Sequence, residues 1–94
     1  MFISKELEND YNAFADKVYE AGAIDRKTKE LIALACSVMA DCSPCIDYHY
    51  KKAISYGATK EEISEAAAVT MTICAGSKKA KYSQQFQDLD DKKR

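Results

Sequence analysis

The sequence predicts an all-α chain: a single-domain bundle of about five helices over residues 1–94 that assembles with copies of itself. Three observations carry this. Apolar residues recur at helical steps in successive segments, no stretch alternates with a period of two, and Gly or Pro punctuates the segments. Ninety-four residues make one small domain whose monomer buries only a modest share of its surface, so self-association is expected from size.

From Ser4 to Ala21, Leu7, Tyr11, Phe14, Val18 and Ala21 mark one helical face, and Gly22 is expected to end the segment with a left-handed cap. Asp25 can cap a second helix with Leu31, Leu34, Ala35, Val38 and Met39 inward. The Pro44 ring would clash with the Ala40 carbonyl, so that helix stops near Ala40 and Asp41. A third helix runs to about Tyr56 and stops at Gly57, with Cys45, Ile46, His49, Tyr50 and Ala53 along one side. Thr59 and Glu62 form a capping box for a fourth, whose Ile63, Ala66, Ala67, Thr70, Met71 and Cys74 face inward. Gly76 is expected to break or kink it. Tyr82, Phe86 and Leu89 then extend a last helix, and 88–94 forms a charged, frayed tail.

The formal net charge of −1, with acidic and basic residues interspersed, leaves no footprint for nucleic acid. The longest apolar run, Leu31 to Ala40, falls well short of the roughly 18–20 residues needed to cross a membrane. An acidic N-terminal stretch without a basic or apolar leader points to the cytoplasm. In that reducing compartment a Cys-x-x-Cys pair is catalytic or metal-binding rather than structural.

The chemistry concentrates in Asp41-Cys42-Ser43-Pro44-Cys45-Ile46-Asp47-Tyr48-His49, which holds the only histidine of the chain. Offsets of three and four share a helix face, so both thiols and the imidazole meet there. Such a dithiol can close into a disulfide, and the ring can take or return a thiol proton. Cys42, nearer the open helix end, could attack in the thioredoxin manner; Cys45, one turn from His49, is favoured because the imidazole can activate it. Glu30 could orient His49 or accept its proton, or could form an ordinary surface ion pair with Arg26 or Lys27, worth about 0.3–0.5 kcal/mol. Zinc held by Cys42, Cys45 and His49 is the competing reading, and it lacks an evident fourth ligand. Cys36 and Cys74 read as small buried hydrophobes. Tyr48, Tyr50 and Tyr56 read as packing residues.

The spacing Glu30-x11-Cys42-x2-Cys45-x3-His49, with Asp25 to Ala35 before it and Ala53 to Gly57 and Thr59 to Ala66 after it, resembles the AhpD-like alkylhydroperoxidases of the carboxymuconolactone decarboxylase superfamily. The resemblance spans about residues 24–72. It implies trimers or hexamers and an oxidoreductase acting on a small hydroperoxide or disulfide, with no cofactor and with electrons from a thiol reductant that the sequence does not identify. By it, Cys45 attacks, Cys42 resolves, and Glu30 with His49 relays protons. Pro44 stands where those enzymes carry a histidine, which bears on the peroxide step more than on the dithiol. The decarboxylase branch lacks the cysteine pair, so lactone decarboxylation is not implied. The alternative is a zinc-binding or structural helical oligomer without redox turnover.

Overall fold

The computed structural model describes residues 2–92, all of whose regular structure is helical. There are four helices rather than about five: α1 (Lys5–Tyr19), α2 (Arg26–Met39), α3 (Ser43–Ser55) and α4 (Lys60–Lys92). The difference lies at Gly76, where α4 continues unbroken. An interior glycine costs a helix about 1 kcal/mol relative to alanine, which weakens it without stopping it. The charged tail expected to fray from residue 88 is helical to Lys92, and residues 93–94 lie outside the described residues.

The caps explain most boundaries. Ser4 accepts the Leu7 amide at 3.2 Å, and Asp25 accepts the Thr28 amide at 2.7 Å. Thr59 and Glu62 close the expected box, Glu62 N–H to Thr59 Oγ1 at 3.0 Å and Thr59 N–H to Glu62 Oε1 at 2.9 Å. Helix α3 ends in a Schellman arrangement: the Ala58 amide reaches the Ala53 carbonyl and the Gly57 amide that of Ile54, with Gly57 at φ 91°. Only glycine takes that conformation without strain, so Gly57→Ala should lower the unfolding free energy by about 1–2 kcal/mol, read from urea midpoints at unchanged slope.

Gly22 does not act as expected. Helix α1 ends earlier, through extended backbone at Glu20, and Gly22 is not left-handed. Its last carbonyls are closed by a side chain from the next helix: Lys29 Nζ donates to Val18 O at 2.7 Å and Glu20 O at 2.6 Å. A cation there also suits the negative end of the helix dipole.

Helices α2 and α3 form a hairpin through residues 40–42, and the first part of α4 lies across α2. The buried set is small: Ala33, Leu34, Ser37 and Glu30 from α2, Ala53 from α3, Ala58 after it and Thr70 from α4. The Ser37 and Thr70 hydroxyls donate to the carbonyls one turn back, at Ala33 and Ala66. Lys27 Nζ meets Glu62 Oε2 at 2.9 Å and ties the start of α2 to that of α4.

These caps make stability depend on pH. The Thr28 amide holds the Asp25 carboxyl below its usual range, and the Lys27 ammonium, then the Thr59 amide, do the same for Glu62. A carboxyl whose folded pKa lies below its unfolded one stabilises above the unfolded value and loses that contribution as pH falls through the folded one. Lys27, raised chiefly by its hydrogen bond to Glu62, contributes at neutral pH and loses its share in strong alkali. The melting midpoint should be level from about pH 5 to 9 and fall below about pH 4. Glu62→Gln should flatten the acid limb.

Faces expected to point inward are open. Leu7, Tyr11, Phe14 and Val18 of α1, Val38 and Met39 of α2, and Met71 of α4 are exposed, as are Phe86 and Leu89. Cys36 and Cys74 are exposed too, contrary to the buried reading. Cys74 Sγ lies 3.3 Å from Met39 Sδ. The radius of gyration is 18.6 Å, against roughly 12 Å for a compact chain of this length. One copy therefore lacks the layers that would cover its helical stripes.

Candidate active site

The turn between α2 and α3 sets the geometry. The Cys42 amide reaches the Ser37 carbonyl and the Asp41 amide that of Val38, a second Schellman arrangement, with Asp41 rather than glycine at positive φ, 55°. Aspartate tolerates that conformation better than most residues. The chain emerges extended at Cys42, which becomes the N-cap of α3, and Pro44 sits in the first turn, where a missing amide hydrogen costs nothing. The expected stop near Ala40 and Asp41 is observed.

Cys42 and Cys45 are joined in a disulfide with Cα atoms 5.2 Å apart. The Cys45 amide donates to Cys42 Sγ at 3.2 Å, so a sulfur occupies the place of the usual capping oxygen. Both cysteines are half-buried.

His49 follows one turn after Cys45 on α3, and its side chain is 15% exposed. Its Nδ1 lies 2.8 Å from Glu30 Oε2. An ionised carboxylate only accepts, so Nδ1 carries a proton toward it, and a neutral ring in this pose has Nε2 as its acceptor. The ring stacks on Tyr19 at 5.4 Å between centroids and meets the edge of Tyr48 at 5.0 Å.

Glu30 is fully buried. Its other oxygen, Oε1, accepts from Arg26 Nε at 3.2 Å and Nη2 at 3.1 Å. The surface ion-pair reading of Glu30 is thus replaced by a buried one, in which every buried polar side-chain atom of the described residues has a partner. Lys27, the other cation considered for it, pairs with Glu62 instead. The Arg26 guanidinium lies over the Tyr56 ring at 4.4 Å and near that of Tyr19 at 5.6 Å. Burial, and then the Glu30 charge, raise the Tyr19 phenol above its usual pKa.

The structure joins Glu30 to His49 and Cys42 to Cys45, with His49 one turn after Cys45 on α3. Tyr19 joins them unforeseen, and Arg26, expected only as a surface partner of Glu30, joins as the partner of a buried carboxylate. Arg26 had a signal, its i, i+4 offset from Glu30, whereas nothing in the α1 pattern distinguishes Tyr19. Tyr48 touches His49 and Tyr56 touches Arg26, yet Tyr48, Tyr50 and Tyr56 are all exposed. Among the described residues no three His, Cys, Asp or Glu side chains are grouped to hold a metal ion, and no helix is long and apolar enough to cross a membrane.

The helical hairpin carries the Cys42–Cys45 disulfide and a histidine held by a buried carboxylate, in an all-helical chain. The chain belongs to the carboxymuconolactone decarboxylase family, whose sequence model matches residues 5–87. Among individual proteins, it is 35% identical over 85 residues to uncharacterized protein 4 in the cox locus of Paracoccus denitrificans, covering 90% of this chain and 77% of that one. It is 38% identical over 56 residues to the alkyl hydroperoxide reductase AhpD of Corynebacterium kroppenstedtii, covering 60% of this chain but 32% of that enzyme. Of solved structures, a protein from Methanobacterium thermoautotrophicum matches with TM-score 0.81 and 34% identity over 92% of this chain and 99% of that one. A carboxymuconolactone decarboxylase family protein from Thermotoga maritima, described as possibly involved in antioxidative response, matches with TM-score 0.69 and 25% identity over 96% and 99%.

Proposed function

We propose that this chain is a thiol-disulfide oxidoreductase that reduces small hydroperoxides or disulfides through Cys45 and Cys42 and is re-reduced by an external dithiol. The observation that carries the reading is the Cys42–Cys45 disulfide at the start of α3, one turn before a histidine locked by a buried carboxylate. The redox character of the pair is compatible with the family and with its AhpD relative.

In the reduced form the Cys45 thiol gives its proton to His49 Nε2, and the thiolate attacks the terminal oxygen of the hydroperoxide. The O–O bond breaks, Cys45 becomes a sulfenic acid, and the alcohol leaves with the proton from His49. Cys42 then attacks the Cys45 sulfur, closing the disulfide and releasing water. In the return half, a thiolate of the donor attacks Cys45 and Cys42 leaves as a thiolate. The Cys45 amide and the positive end of α3 face the departing Cys42 sulfur. The donor's second thiol releases itself as a disulfide, and two electrons have passed. Glu30 holds His49 in the tautomer whose Nε2 is free.

The working form is a homo-oligomer, because the open stripes on α1 and α4 need cover, and the resemblance to AhpD-like proteins makes it a trimer or hexamer. Its expected compartment is the cytoplasm, where thiol donors are kept reduced. Light scattering should give a mass of several chains at micromolar concentration; a monodisperse monomer would refute the assembly.

The test of the chemistry counts free thiols around addition of an organic hydroperoxide, with metal analysis on the same sample. Substituting Cys36 and Cys74 by serine beforehand isolates the pair. Reversible loss of two thiols, matched by alcohol formed, is expected. Bound zinc with slow thiols would instead select the metal-binding or structural alternative.

A further inference from the structure

We propose that Arg26 is a positioning residue that keeps His49 an uncharged base by serving as the standing counter-ion of Glu30. The proposal rests on the reading of His49 as the group that takes the Cys45 proton, but its test does not require turnover.

The two oxygens of Glu30 are divided between two partners: Arg26 places Nε and Nη2 on Oε1, and His49 places Nδ1 on Oε2. A buried carboxylate with histidine as its one cationic partner draws a second proton onto the ring, because an ion pair is the cheapest way to neutralise a charge out of water. An imidazolium has no lone pair for a thiol proton. With Arg26 present, the guanidinium already neutralises Glu30, so the site is balanced with His49 neutral. Arg26 is itself held at this post. Its side chain is 27% exposed, the Tyr56 ring lies on it at 4.4 Å, and Tyr19, which stacks on His49, is 5.6 Å from it.

The ionisable groups meeting His49 are Tyr19 from α1, Glu30 from α2 with Arg26 behind it, and Tyr48 from α3. Lys27 and Glu62, which link α2 to α4 beside this cluster, are satisfied by each other. The guanidinium fork is suited to holding one oxygen with two N–H groups, which leaves the second oxygen to the ring.

His49 is the only histidine, so a 15N-labelled sample gives one imidazole pattern. At neutral pH the wild-type protein should show Nδ1 protonated and Nε2 bare. In Arg26→Met the ring should become doubly protonated at the same pH, and Arg26→Lys, which restores the charge, should return the bare nitrogen. Should Arg26→Met fail to fold, Arg26→Gln, which can keep a hydrogen bond to Oε1 without charge, is read in the same way. A bare Nε2 in the neutral variant at the wild-type pH would overturn the proposal. A wild-type protein with the expected ring state but no peroxide turnover would count against the proposed function and leave the role of Arg26 standing.

Discussion

Cys45→Ser should reduce hydroperoxide turnover to the uncatalysed level, whereas Cys42→Ser should still consume one equivalent and then stop. The asymmetry follows from position. Cys45 is one turn from His49, whose ring is held by Glu30 through Nδ1, and in the proposed mechanism that ring takes the Cys45 proton. Cys42 caps α3 and accepts the Cys45 amide, which suits a sulfur that leaves and returns. In Cys42→Ser the stalled product is a Cys45 sulfenic acid with peroxide, or a mixed disulfide with a disulfide substrate, and mass spectrometry after trapping reads either. The reverse pattern, with Cys45→Ser keeping the first attack, would assign the nucleophile to Cys42 at the helix end. The N-cap contact would then act on the attacking thiolate instead of the leaving one.

Substitution of Glu30 should have the largest effect on stability. The buried position of Glu30 makes substitution costly to folding as well as to rate. Glutamine keeps the shape, but its amide cannot accept from Arg26 and His49 at both ends, so one donor is left without a partner at a cost of about 1–3 kcal/mol. Alanine leaves Arg26 without its counter-ion and opens a cavity, at about 3–5 kcal/mol. A small domain has of the order of 5–15 kcal/mol to lose, so Glu30→Ala should be recovered mostly unfolded or aggregated at raised temperature. Urea midpoints measure the stability change. Peroxide turnover in folded Glu30→Gln should fall by about a hundredfold or more through loss of the ring's orientation. An unchanged rate beside reduced stability would make Glu30 structural only.

Much of the local structure was legible because it rests on contacts within a few residues. The caps at Asp25 and Thr59, the stop before Pro44 and the glycine at Gly57 each follow from one turn of chain and its orphan amides or carbonyls. Gly22 and Gly76 misled for the complementary reason. A glycine permits a left-handed stop but does not impose one. At α1 the closing group is Lys29, nine residues beyond the Glu20 carbonyl it caps, and at Gly76 no competing turn ends the helix.

By itself the sequence determined the helical class, the family, and the sharing of one helix face by two cysteines and a histidine, since periodicity and spacing are properties of the chain. Tertiary structure decided what those groups can do. Packing α2 on α3 buries Glu30 and brings it to His49, 19 residues away. The end of α1 lays Tyr19 over the ring, and Arg26 becomes a buried carboxylate's counter-ion rather than a surface charge. The physical reason is desolvation. The strength of a charge depends on how much water is removed around it, and only the folded arrangement of separate helices sets that.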